Sequence, residues 1–145
     1  MPTTRAKSTA LADLADLLLN VARLVRTQTP TPPGVVPLTE TERQVMRVVD
    51  LHPNSSPSEI AARAHMQRTN VSAALRDLES KGMIRRHSTS GRGVAVESTQ
   101  QAIDGLEALR HAWAELLTDA VDTDIETVRA FNDLLRSIED HFLTA

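Results

Sequence analysis

Arg68, Thr69, Asn70, Ser72, Ala73 and Arg76 are spaced so that a helix carries them together on one side, away from an apolar stripe of Val71, Ala74, Leu75 and Leu78 at i, i+3, i+4 and i+7. Short hydrogen-bonding side chains near a helix start, with arginines among them, suit one chemistry in particular. Hydroxyl and amide groups reach base edges in a major groove, while guanidinium groups hold phosphate. Arg85 and Arg86 follow, and then Arg92, placed between Gly91 and Gly93 in a Ser/Thr/Gly-rich turn. An arginine at such a tip is suited to a narrow minor groove, where negative potential is concentrated.

These residues need a scaffold, and the chain supplies its start and stop signals. "SPSEIAARAHMQRTNVSAALRDLESKGMI" predicts a short helix from Pro57 to about Ala64, a tight turn around His65 to Gln67, and a second helix from about Arg68 to Lys81 stopped by Gly82. The apolar stripe of the second packs inward with Ile60 and Ala61. "MIRRHSTSGRGVAVES" then predicts a β-hairpin, Met83 to His87 returning through Val94 and Val96. A hairpin with an arginine at its tip, directly after a helix-turn-helix, makes a winged helix. Four capping boxes are expected at helix starts: Thr39 with Glu42, Ser56 with Glu59, Ser98 with Gln101, and Thr123 with Glu126.

The flanking segments carry longer periodicities. Leu11, Leu14, Leu18, Val21 and Val25 form one stripe of a first helix ending near Arg26, which the Pro-rich "TQTPTPPGVVP" breaks. Ala102, Leu106, Leu109, Trp113, Leu116 and Ala120 make one heptad-like seam, and Val128, Phe131, Leu135, Ile138 and Phe142 make another. Together these helices offer more apolar stripe than the small middle region covers, which predicts a partner subunit rather than an intramolecular core alone. The fold class is therefore mainly α with a small β-hairpin wing.

The net charge of −3 at first opposes a nucleic-acid partner, but its distribution does not. From Arg63 to Gly93 seven basic residues face two acids, a net of +5. From Val94 to Ala145 three face eleven, a net of −8. A local basic field is what counterion release requires, and an acidic far side discourages indiscriminate binding. The absence of cysteine excludes disulfides and thiolate metal sites. No apolar run is long enough to cross a bilayer, and Asp13 and Asp16 interrupt the stretch where a signal peptide would be apolar, so a cytoplasmic protein is expected. His52, His65, His87, His111 and His141 are scattered without metal-ligand spacing, and no nucleophile or acid–base constellation accompanies them. No enzyme, metal site or cofactor is expected.

"LTETERQVMRVV", "SEIAARAHMQRTNVSAALRDLESKGMIRR" and the wing Arg92 resemble the MarR family of bacterial transcriptional regulators, and the order and lengths of the flanking helices fit over almost the whole chain. The resemblance implies a single domain, 1–145, with dimerisation helices in 1–26 and 98–145 and a winged helix-turn-helix lobe in 38–97. It implies a homodimer on a pseudo-palindromic duplex DNA operator, usually repressive, with Arg68, Thr69, Asn70, Ser72, Ala73, Arg76, Arg85, Arg86 and Arg92 as the DNA-binding set. Ala73 stands where relatives often carry arginine, which shifts base contacts toward Asn70, Ser72 and Arg76. The wing also lacks the acid that often pairs with its arginine. Relatives bind small anionic or lipophilic aromatic effectors beside the lobe, which points here to Met46, Arg110, His111 and Trp113. A winged helix that docks proteins, or a DNA binder without a ligand, are the competing readings.

Overall fold

The computed structural model describes residues 2–91 and 93–145, so the wing residue Arg92 lies outside the described part. Among the described residues there are six helices and one hairpin: α1 Pro2–Gln28, α2 Glu40–Leu51, α3 Pro57–Ala64, α4 Arg68–Ser80, β1 Ile84–Ser88, β2 Val94–Ser98, α5 Gln100–Thr118 and α6 Ile125–Thr144. They fall into two compact units. One comprises the residues up to Pro33 with Leu109–Asp122, and the other Gly34–Ala108 with Thr123–Ala145.

The larger unit holds the core. Val45 and Val49 of α2, Ile60 of α3, Val71, Leu75 and Leu78 of α4, and Val96 of β2 are all but sealed from solvent. Each such side chain contributes about 1.5–3 kcal/mol by leaving water. The inward stripe expected for α4 is thus the one that packs, with Ile60 and Ala61 against it as the periodicity requires. The strands pair antiparallel, Ile84 opposite Ser98 and Arg86 opposite Val96, and Ser55 adds a short bridge to Val96.

Local chemistry sets most of the boundaries. Thr39 and Ser56 close full capping boxes: the Thr39 hydroxyl accepts from Glu42 N at 3.2 Å while Thr39 N donates to the Glu42 carboxylate at 3.0 Å, and Ser56 and Glu59 repeat the exchange. The other two expected caps are displaced by one residue. Ser98 is held in β2 by its pairing with Ile84 and donates instead to Asp50, so Thr99 caps α5 by accepting from Ala102 N at 3.2 Å. Asp124 rather than Thr123 caps α6, accepting from Thr127 N at 2.7 Å. A carboxylate is the stronger acceptor at the positive end of a helix.

In the smaller unit, the long α1 keeps Leu14, Leu18, Leu24 and Val25 half-buried and leaves Leu11, Leu17, Leu19 and Val21 exposed. In the larger unit α6 has no buried residue, and Phe131, Leu134 and Phe142 are exposed. Yet α6 is fastened to the lobe at two places. The Arg47 guanidinium grips Glu139 through both carboxylate oxygens, at 2.8–3.1 Å, and His65 Nε2 lies 2.8 Å from the Leu143 carbonyl.

One partly buried ion pair joins the start of α2 to the end of α4. Lys81, just past α4, donates to both oxygens of Glu42 at 2.9 and 2.8 Å and to the Pro37 carbonyl at 3.3 Å. Glu42 is only 3 % exposed. Burial alone pushes its carboxyl up, but the bonds from Lys81 and Thr39 outweigh that and hold it below its ordinary value. A depressed folded-state value means stability present above the unfolded-state value of about 4.3 and lost as pH falls through the folded one. Glu42→Gln keeps the size of the side chain and an acceptor for Thr39 N but leaves Lys81 unneutralised. It should therefore cost about 1–3 kcal/mol at pH 7, less than the loss for a fully buried pair because Lys81 is one-third exposed. Denaturant melts of both proteins should converge as pH falls below about 4, and a constant gap across pH would refute the electrostatic account.

Candidate nucleic-acid interface

Because Val71, Ala74, Leu75 and Leu78 are turned into the core, the opposite face of α4 is obliged to meet solvent. Arg68, Thr69, Asn70, Ser72 and Arg76 are exposed on it, and Ala73 is half-buried among them. Among the described residues the side chains of Thr69, Asn70, Ser72 and Arg76 make no hydrogen bond or ion pair. Arg68 donates to the Ser58 hydroxyl at 2.6 Å, which steadies its stem without neutralising its charge. No side chain caps the start of α4, so its first-turn N–H groups add to the positive character of this end.

Two turns aim the helix. His65 adopts the left-handed conformation at φ 53° as α3 ends, and Met66 N returns to Ala61 O at 3.0 Å. At the other end Gly82, at φ +74°, lets Met83 N reach Leu78 O at 2.9 Å and sends the chain into β1. Thr99 then locks the base of the wing: its hydroxyl donates to Gly82 O at 2.6 Å and its N–H to Met83 O at 3.0 Å. At the tip Thr89 N donates to Gly93 O at 3.1 Å. A Cβ at position 93 would sit 2.8 Å from the Thr89 hydroxyl, which explains a glycine there.

Arg85 and Arg86, exposed on β1, complete the described part of the expected set, but both have internal partners. The Arg85 guanidinium donates to Glu97, its cross-strand neighbour, and Arg86 Nε lies 3.5 Å from Glu79 of α4. Sequence reasoning missed both pairings. The signal for the first lay in the hairpin register, which sets residue 85 opposite residue 97.

Comparison with known proteins places this geometry. Residues 36–93 match the model of the MarR family. That segment is similar to a MarR-family winged helix-turn-helix. No curated protein gives a significant sequence match. A Pseudomonas aeruginosa protein assigned as a transcriptional regulator is 24% identical, with 90% of this chain and 94% of that one aligned at a TM-score of 0.71. FabT of Streptococcus pneumoniae, solved in complex with DNA, is 16% identical over 93% and 96% of the two chains, TM-score 0.67. PcaV of Streptomyces coelicolor, a transcriptional regulator solved with its natural ligand, is 16% identical over 88% and 89%, TM-score 0.57. The fold of these structures thus spans nearly the whole chain.

The residues expected around an effector fall in both units. Met46 is buried in the core of the lobe, whereas Arg110, His111 and Trp113 stand on the part of α5 that belongs to the smaller unit. His111 lies 3.4 Å from Glu115, both exposed. A groove of about 510 Å³ that the sequence did not foreshadow runs between α2, α3 and α6, lined in part by Arg47, Val48, Leu51, Arg63 and Leu143.

Asp50, on the last turn of α2, ties the lobe to the end of the wing by accepting from Ser98 at 2.6 Å. Burial raises its carboxyl above the ordinary value despite that bond. The sign is opposite to that of Glu42, because a raised folded-state value means that stability is lost as pH climbs from the unfolded-state value through the folded one. Asp50→Asn retains the acceptor and removes the charge. It should raise Tm at pH 7 and match the wild type in acid below both values; a lower Tm at pH 7 would show that the charge itself stabilises the junction.

Proposed function

We infer that the protein is a cytoplasmic homodimeric transcription regulator, a repressor that binds a pseudo-palindromic duplex operator. The observation that carries this reading is the exposed face of α4. It presents unpaired hydrogen-bonding groups at Thr69, Asn70 and Ser72 between Arg68 and Arg76, in the part of the chain with a net charge of +5. A module that only docks proteins has no need of that basic field. In this reading Asn70, Ser72 and Arg76 face base edges, with Thr69 and Ala73 alongside, while Arg68, Arg86 and the wing Arg92 meet the backbone and minor groove. The DNA-bound state of FabT, which shares the fold, favours the same use here.

The second copy is supported by the apolar side chains left uncovered on the terminal helices: Leu11, Leu17 and Val21 on α1, and Phe131, Leu134 and Phe142 on α6. On this assignment 1–26 and 98–145 form the dimerisation region and 38–97 the DNA-binding lobe. Two lobes held rigidly reach half-sites about one helical turn apart. Release by a small anionic or lipophilic aromatic effector belongs to the same reading, as PcaV was solved with a natural ligand, and Met46, Arg110, His111 and Trp113 are the residues assigned to it.

Selection from a random duplex pool followed by salt titration tests the core of the proposal. The logarithm of affinity should fall steeply and linearly with the logarithm of salt, with a slope of several units for about five to ten phosphates per dimer. Asn70→Ala should flatten preference at one base per half-site by about 1–3 kcal/mol, while Arg86→Ala and Arg92→Ala weaken all duplexes alike. A salt-insensitive affinity, an unchanged motif for Asn70→Ala or a monomer at micromolar concentration each contradicts one part of the assignment. For the effector, a ligand that shifts Trp113 fluorescence should weaken operator binding by the same factor by which the operator weakens the ligand. A ligand that moves the fluorescence and leaves operator affinity unchanged argues against regulation through α5.

A further inference from the structure

The basic residues of the interface differ in how they are held. Among the described residues Arg76 has no partner, and Arg68 has only a neutral hydroxyl. At the root of the wing the situation reverses. Antiparallel register sets Arg85 directly opposite Glu97 on the same face of the hairpin, and the Arg85 Nε donates to Glu97 Oε1. His87, two residues along that face, brings its Nδ1 to 3.8 Å from the same carboxylate oxygen. Glu97 is the more sheltered member, its side chain 29% exposed against 69% for Arg85, so the arginine Nε is engaged by the carboxylate while most of the side chain stays open to solvent.

We propose that Glu97 is an affinity-limiting residue of the DNA interface, an internal carboxylate that occupies Arg85 in place of a DNA phosphate. The inference rests on the DNA-binding reading above. A phosphate approaching Arg85 meets a pair of nearly zero net charge, so the contact releases little of the counterion atmosphere that drives non-specific binding. Taking Arg85 for itself would require the phosphate to displace a charge-assisted hydrogen bond and to lie beside the freed carboxylate. The recognition helix is spared this competition, since its arginines have no acidic partner. Binding energy is thereby concentrated on α4, where base edges are read, and withheld from the wing root, where any sequence would do.

The experiment compares wild type, Glu97→Gln, Glu97→Asp, Arg85→Ala and the Arg85→Ala/Glu97→Gln double variant on random-sequence duplex and on the pool-selected duplex across a salt series. Glu97→Gln preserves an acceptor for Arg85, so the hairpin stays intact; circular dichroism and Tm verify that. It should bind random duplex about three- to tenfold more tightly at low salt, with a slope steeper by about 0.9 for each lobe in contact. Glu97→Asp keeps the charge and should behave as the wild type. The double variant should lose the gain, because the gain acts through Arg85; a double variant as tight as Glu97→Gln would show general charge removal instead and overturn the assignment. Unchanged or weaker binding by Glu97→Gln would also overturn it, the weaker case making Glu97 a residue that positions Arg85 for phosphate. If wild type and every variant fail to bind either duplex, the DNA reading falls and this inference with it.

Discussion

The junction at Glu42 is the contact on which the orientation of α4 depends. One carboxylate completes the cap of α2 through Thr39 and receives Lys81 from the far end of α4, and Lys81 in turn reaches the Pro37 carbonyl. The core beneath, with Val45, Val49, Leu75 and Leu78 sealed, supplies burial that is non-directional in itself. A two-oxygen contact to an ammonium is less tolerant. It pins the start of α2 and the end of α4 to one point, leaving α3 and its left-handed exit at His65 to fix the other end of α4. The cost of dehydrating Glu42 is offset only while both partners are present, so the link sets the angle of α4 as well as adding stability.

From that pinned helix the path to the wing combines backbone hydrogen bonds with the burial of Met83 and Ile84 in the core. Gly82 turns, Met83 N bonds Leu78 O, and Thr99 closes the loop by bonding both Gly82 and Met83. The hairpin therefore leaves α4 at a defined point, and the same Thr99 begins α5. Asp50 binds Ser98 next to it, so α2, wing and α5 converge on two consecutive hydroxyl residues. This convergence explains why the cap expected at Ser98 moved to Thr99. The Ser98 backbone stays in the strand opposite Ile84 and its hydroxyl donates to Asp50, so the helix starts one residue later and Thr99 supplies the cap.

Much of the lobe was legible in the sequence because its signals are local. The i, i+3, i+4, i+7 stripe of α4, Pro57 after Ser56, and Gly82 after α4 each act within a turn or two, and each boundary fell within a residue or two of its expectation. What could not be read depends on residues far apart along the chain. The Arg85–Glu97 pair needs the hairpin register, Arg47–Glu139 spans 92 residues, and His65–Leu143 spans 78. Charge counting over residues 63–93 includes Glu79 but leaves out Glu97, which lies just beyond that segment and which the hairpin register sets beside Arg85. Met46 shows the same limit. The resemblance points to it as a residue near an effector, and its burial in the core depends on how α2 packs against the rest of the lobe.

The fastening of α6 gives the acidic end of the chain a specific structural consequence. The apolar side chains Val128, Leu135 and Ile138 of α6 are only half-buried, so polar contacts add to its attachment to the lobe. Arg47 spends its charge on Glu139, and the Leu143 carbonyl, one of the orphan acceptors at a helix C-terminus, meets His65. His65 is also the residue whose left-handed backbone lets α3 turn toward α4. The end of α6 is therefore in direct contact with the turn that precedes the recognition helix, and the groove between α2, α3 and α6 lies between these two attachments. Both attachments are partly exposed to solvent, so each is individually weak and competed by water and salt. A helix held in this way is coupled to the helix-turn-helix while it is docked, and it can be detached without breaching the core.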